Sequence, residues 1–195
     1  FIKQSNKIAN DYLLRNDFIN KALNLELPNI IYIATLTPRK CHLDLLEALS
    51  KTKTLFNVNL VGYPNSNKIR ELIEHKSTFN GSKIKSNINY FPKLSQKDLC
   101  TLLLYSSAYV STSKNEGFGI PVVEGMLMGV PVIASNIEVF KEISNDLIFF
   151  NNELDLLEKT MKFSQKPTVR FNQLRKKALG FAKDDAFVVS LKSIL

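Results

Sequence analysis

Several things missing from this chain narrow its reading before anything present in it does. No apolar run approaches the roughly 18 residues of a membrane-crossing helix. The opening FIKQSNKIANDYLL has none of the basic, apolar and small-residue order of a secretory signal. The two cysteines, Cys41 and Cys100, are too few for a disulfide framework and stand in no metal-ligand spacing, so a reducing, cytoplasmic setting is expected. Neither a G-x-G-x-x-G dinucleotide fingerprint nor a Walker A loop occurs, which counts against nucleotide-driven hydride or phosphoryl transfer. The two histidines, His42 and His75, have no acid or cysteine spaced for a triad or a metal site, and a surface or helix-cap role is expected of both. Internal repeats and low-complexity tracts are missing too.

The 195 residues are 45% hydrophobic and 23% charged, a profile that predicts a soluble chain with one good core and excludes disorder. The chain begins with Phe, so a piece of a longer protein is expected. Lys and Arg number 26 against 18 Asp and Glu, a net charge of +8 that favours anionic partners. Much of the excess lies late, in Lys159, Lys162, Lys166, Arg170, Arg175, Lys176, Lys177 and Lys183, and reads as a solvated helical face. No aromatic residues interleave with it as a base-stacking platform requires, so nucleic acid is not an expected partner.

Short β-rich apolar runs alternate with helix-patterned segments. NIIYIAT (29–35), FNVNLVGY (56–63), INYF within INYFPKLS, AYVSTS (108–113), VPVIAS (130–135) and LIFF (147–150) read as buried strands. Between and after them, HLDLLEALSKT, NKIRELIEHK, SQKDLCTLLLYS with its Ser95 cap, a segment from about Pro121 to Met128, EVFKEIS and NELDLLEKTMKF read as helices, and the rest looks helical to the end. Such alternation predicts an α/β fold, a doubly wound, Rossmann-like parallel sheet. Residues 1–27 stand outside it and read as a linker or the remnant of an upstream domain, with an amphipathic helix at NDFINKALNLEL; residues 28–195 form the expected domain. Asp184 and Asp185 fit a helix cap better than a metal site.

Ligands of an open parallel sheet bind beyond the carboxyl ends of its strands, where the strand order reverses. The segment EGFGIPVVE, residues 116–124, follows a strand at such an end. Pro121 suits the first helical position, and the N-H groups of Val122 and Val123, with those of the glycine loop, are expected to face an anion. Gly117 and Gly119 let a ligand approach the backbone. Glu124, one turn in, can accept from vicinal hydroxyls such as those of a ribose, and Glu116 can face another part of the same ligand. Arg39 and Lys40 are expected to open a helix, where cations oppose the macrodipole, so a negative group such as a diphosphate is expected beside them.

These elements together resemble one family, the retaining glycosyltransferases of the GT-B fold, group 1 (family 4). The resemblance runs from about Asn29 to Phe150, through IATLTPRKCHLDLLEAL, NLVGYP, the long stretch INYFPKLS to VPVIAS, and Glu142 of EVFKEI; its specific element is the pair of glutamates eight positions apart. It implies the C-terminal, donor-binding half of an enzyme that moves a hexose from a UDP- or GDP-sugar to a glycan or lipid-linked acceptor, with retention. By position it implies that Glu116 contacts the donor hexose near the reaction centre as the catalytic carboxylate, and that Glu124 binds the ribose. Arg39 and Lys40 would hold the diphosphate, Gly117, Phe118, Gly119 and Ile120 would lend backbone N-H groups, and Lys93 and Leu94 would line the base pocket. It implies no cofactor and no divalent metal, the nucleotide sugar being a substrate, and an acceptor held by an N-terminal domain that this chain does not contain. Bacterial envelope polysaccharide or glycolipid synthesis is the implied setting, with peripheral contact at an anionic inner membrane face. Ala34-Thr35 stand where the family often has Gly-Arg, Pro92 where it often has Gly, and NIEVFKEI lacks a usual glycine. The alternative is a Rossmann-like module without turnover that binds a partner protein or an anionic membrane surface.

Overall fold

The computed structural model describes residues 16–24, 26–65, 85–164 and 178. Its elements are α1 (Asp17–Ala22), β1 (Asn29–Ile33), a 3-10 turn (Pro38–Lys40), α2 (His42–Ser50), β2 (Asn57–Val61), β3 (Asn87–Phe91), α3 (Gln96–Tyr105), β4 (Ala108–Ser111), α4 (Ile120–Leu127), β5 (Val132–Ser135), α5 (Glu138–Ile143), β6 (Ile148–Phe150) and α6 (Glu153–Ser164). The six strands form one sheet in the order β3-β2-β1-β4-β5-β6, every pairing parallel, so the doubly wound α/β reading holds. Ser95 caps α3 as expected, its hydroxyl accepting from the Asp98 amide at 3.1 Å. The helix expected at NKIRELIEHK, His75, Asp184 and Asp185, and the basic run beyond Lys162 lie outside the described residues.

Alternate side chains along each strand enter opposite layers, which is why these strands read as continuous apolar runs. Ile31, Tyr109, Val132 and Ala134 pack with α1, α3, α4 and α5. Ile30, Tyr32, Val58, Leu60, Val110 and Ile133 pack with Leu45, Leu46 and Leu49 of α2 and Leu156 of α6. The spacing of Leu43, Leu46 and Leu49 in HLDLLEALSKT suggests one inward face, yet Leu43 is only half-buried and Leu45 is enclosed instead. α1 adds Ile19 and Ala22 to the first layer, held at its start by the Asn16 side chain accepting from Ile19 N at 3.2 Å.

Gly62 ends β2 with φ 150°, and a Cβ there would stand 2.0 Å from the Ala34 carbonyl oxygen. Only glycine lets the chain leaving β2 lie this close to the chain leaving β1. The contact is reinforced by Ala34 N donating to Val61 O at 2.9 Å and Leu36 N to Tyr63 O at 2.8 Å.

Below the first layer runs a row of asparagines that composition did not single out. Asn29, Asn57, Asn59 and Asn89 share the sheet face that α1 covers, and Asn57 and Asn59 are almost wholly enclosed. The Asn57 amide donates to Asn29 Oδ1 at 2.6 Å and to Ala22 O at 2.7 Å, and the Asn89 amide reaches Asn57 Oδ1 and Asn59 Oδ1, both at 3.1 Å. The amides thus tie three strands to the open end of α1, satisfying a carbonyl that the short helix leaves exposed. Asn57→Leu removes the shorter of two bonds to the Ala22 carbonyl, which Asn89 also reaches at 3.2 Å, together with the links to Asn29 and Asn89, and is expected to lower stability by about 1–3 kcal/mol, read as a drop in the urea midpoint.

Candidate functional site

The strand order reverses between β1 and β4, and the loops leaving these strands are stitched to each other. Lys114 N donates to Arg39 O at 2.9 Å, and the Arg39 guanidinium donates back to Asn115 O at 3.2 Å. The Thr112 hydroxyl lies 2.7 Å from Cys41 O and 3.1 Å from Lys40 O, and the Tyr32 hydroxyl donates to Lys40 O. With its backbone fixed from both strands, Lys40 is 7% exposed and its ammonium forms an ion pair with the Glu116 carboxylate, itself 13% exposed. Two residues that the sequence assigns to one ligand therefore meet directly.

Arg39 and Lys40 do not open a helix. They close the 3-10 turn, where cations face carbonyl ends and are well placed, and Cys41 at φ 52° turns the chain before α2 begins at His42 with Asp44 in its first turn. The expected clash with a helix dipole is absent from this turn. What marks Lys40 instead is burial beside a carboxylate.

The second loop enters α4 through Gly119 at φ 87°, where a Cβ would come within 2.8 Å of the Phe140 ring of α5. Pro121 occupies the second helical position and Ile120 the first. The amides of Val122 and Val123 are not directed at a ligand: both donate to Gly119 O, at 2.9 and 3.3 Å. The left-handed cap swings that carbonyl under the first turn. The donors that remain are earlier, the N-H groups of Gly117, Gly119 and Ile120, which have no partner among the described residues. A Cβ on Gly117 would meet nothing within 4 Å, so this loop is open to approach, and the flanking Phe118 and Ile120 side chains are exposed.

Glu124 is 9% exposed on α4. Burial pushes the Cys100 thiol of α3 up to about 12, with the Glu124 carboxylate adding to the rise. Pro92, Lys93 and Leu94 lead into α3, the helix that carries Cys100. Lys93 is exposed there and Leu94 half-buried against the core. Tyr109, wholly enclosed beneath α4, has its phenol raised by burial, then by Tyr32 and by both Glu124 and Glu116. The structure thus pairs Glu116 with Lys40 and encloses Glu124 on α4. Cys41 and Cys100 are both buried free thiols.

His42 departs from expectation. It is 2% exposed, its ring stacked on Tyr32 at 4.4 Å between centroids, and neither ring nitrogen makes a hydrogen bond among the described residues. The signal was in the spacing: His42, Leu45, Leu46 and Leu49 stand at i, i+3, i+4 and i+7, one inward helical face. Burial lowers its pKa to about 4, and the Lys40 charge adds to the fall. Below pH 6.5 the unfolded chain protonates this histidine while the folded one does not, so stability is full above pH 6.5 and falls as pH drops towards 4. The loss amounts to about 3 kcal/mol at the acid end. His42→Phe keeps the stack and removes the proton, so this part of the acid-side slope in urea titrations is expected to vanish in the variant.

The family described as glycosyl transferases group 1 matches residues 15–166. The chain belongs to this family. Over 125 residues it is 31% identical to the serotype-specific mannosyltransferase WbdA of Escherichia coli, covering 61% of this chain and 15% of that protein. A glycosyltransferase structure from Rickettsia africae superposes with a TM-score of 0.64 at 26% identity, over 92% of this chain and 47% of that one. The Anabaena protein HepE, solved in complex with UDP-glucose, shares the fold with a TM-score of 0.61 at 19% identity, over 85% of this chain and 47% of that one. The chain thus spans a small part of its curated relative and about half of each of these two structures. No helix among the described residues is long and apolar enough to cross a membrane.

Proposed function

We propose that this chain is the donor-binding half of a retaining glycosyltransferase that moves a hexose from a UDP- or GDP-sugar to a glycan or lipid-linked acceptor. The observation that carries the reading is the meeting of Lys40 and Glu116 at the reversal of strand order, beside a helix start with unengaged amides. A diphosphate arriving there takes the Lys40 ammonium and the N-H groups of Gly117, Gly119 and Ile120, with Phe118 on the same loop and Arg39 adding charge from outside. Glu116, released from Lys40, turns to the hexose and acts as the catalytic carboxylate at the reacting carbon. Glu124 accepts from the ribose hydroxyls, and Lys93 and Leu94 line the base.

As the sugar-phosphate bond breaks, negative charge grows on the departing diphosphate, and the same lysine, arginine and amides stabilise it, so the step needs no divalent metal. The acceptor binds through an N-terminal domain outside this chain, on the cytoplasmic side, with the net charge of +8 favouring peripheral contact with anionic lipid. The 195 residues alone bind donor without sustained transfer. Since WbdA is named as a mannosyltransferase, nucleotide-linked mannose belongs in the first donor panel.

A nucleotide sugar at a hundredfold excess over Kd is expected to add about 2.7 kcal/mol to stability, with or without EDTA, and Glu124→Ala to remove most of that protection in a thermal-shift panel. No shift with any nucleotide sugar at millimolar concentration would sink the proposal. Calorimetry separates the paired groups further. Lys40→Met weakens nucleoside diphosphate binding by about tenfold or more, whereas Glu116→Gln, which frees the lysine beforehand, tightens it. Equal weakening by both would show that Glu116 does not compete with the phosphates.

A further inference from the structure

A second pocket opens on the other side of the 112–116 loop, over the ends of β4, β5 and β6, between α2 and the start of α6. Its volume is about 320 Å³, at the small end for sites that enclose an organic ligand. None of the residues assigned to the donor lines it. Its polar lining is dominated by three asparagines, Asn136, Asn151 and Asn152, set beside the half-buried ring of Phe150. The Asn136 amide donates to Asn151 Oδ1 at 2.7 Å, and Asn152 Oδ1 accepts from Asp155 N at 3.0 Å as the cap of α6. This leaves the Asn136 oxygen and the amide hydrogens of Asn151 and Asn152 without a partner among the described residues, an alternation of acceptor and donors over a few ångströms.

Charge decides which ligand suits that array. Asp44 and Glu153 line the pocket against a single lysine, Lys114, which pairs with Asp44 at 3.6 Å, while Glu153 pairs with Lys51. The starts of α2, α5 and α6 all border the pocket, and each carries a carboxylate in its first turn, Asp44, Glu138, and Glu153 with Asp155, so their dipoles are already answered. An anion is disfavoured there although the chain is basic overall, and the charges present are largely neutralised by their own pairs. Amide groups that both give and accept, with Phe150, Ile137 and Leu156 as apolar neighbours in the same lining, match a ring that carries both hydroxyls and C-H groups.

We propose that this pocket is a carbohydrate subsite for a neutral mono- or disaccharide, separate from the donor position and sharing only the 112–116 loop with it. The proposal rests on the pocket's own lining, so it stands or falls independently of the donor reading. The test is an NMR titration of the 195-residue chain with mannobiose and with maltose, following the side-chain amides of Asn136, Asn151 and Asn152; inorganic phosphate and spermidine serve as anionic and cationic probes. The expected result is saturable shifts of those amides with a disaccharide. The double variant Asn136→Ala, Asn151→Ala, both exposed positions, is expected to weaken binding by at least about tenfold, while Lys40→Met leaves it unchanged. Shifts centred on the Lys40–Glu116 loop, stronger responses to phosphate or spermidine, no saturable response to either sugar, or unaltered binding in the double variant would each overturn it. The variant's unchanged urea midpoint distinguishes lost contact from lost fold.

Discussion

An ammonium and a carboxylate withdrawn from water at the reversal of strand order hold this site together. Lys40 and Glu116 arrive on loops from strands that are neighbours in the sheet and far apart in sequence, and each neutralises the burial of the other. Removing one partner of such a pair leaves a bare charge in a poor dielectric, at a cost of about 3–5 kcal/mol. The surrounding bonds, from Thr112 and Tyr32 to the Lys40 carbonyl and between Lys114 and Arg39, fix the backbones so that the pair costs little further entropy. In the proposed donor complex a diphosphate takes the place of Glu116 beside Lys40 and supplies the charge that the carboxylate gives up. The exchange is one anion for another at a fixed cation.

The remainder of the site is backbone. The glycine cap at residue 119 does two jobs through one torsion: it lets α4 start against the Phe140 ring, and it turns its own carbonyl onto the amides of Val122 and Val123. The helix start is therefore partly satisfied before any ligand arrives, and the donors available to an anion are the loop amides ahead of it. Side-chain identity at 118 and 120 matters less to such contacts than the path of the chain.

The fold was legible because parallel strands buried on both faces read as unbroken apolar runs, and because Ser95, Gly62 and Pro121 punctuate their neighbours. The glutamate pair stood out in the sequence because it brackets two glycines and a proline just after a strand, whereas the contact of Glu116 with Lys40 is visible only in the fold. Three features escaped for physical reasons. A 3-10 turn and a left-handed Cys41 leave no periodicity, so Arg39 and Lys40 were read as part of the following helix. His42 was judged by its chemistry rather than by the inward spacing it shares with Leu45, Leu46 and Leu49. The asparagines of NVNLV and NINYF alternate with apolar residues, which is the mark of a strand with one polar face, but their enclosure depends on α1, a segment that stands outside the alternation.

The asparagine row also limits how the sheet can assemble. Each primary amide has a giving end and an accepting end, so the row from Asn29 through Asn57 to Asn89 has a direction. Sliding β2 by one residue would set Val58 against Asn29 and turn its amides into the opposite, apolar layer. Sliding it by two would restore the face, with Asn59 in the place of Asn57 in one direction and Leu55 there in the other. Three strands rich in branched and aromatic apolar residues thus carry a mark against one-residue slips, and α1 adds the Ala22 carbonyl to it.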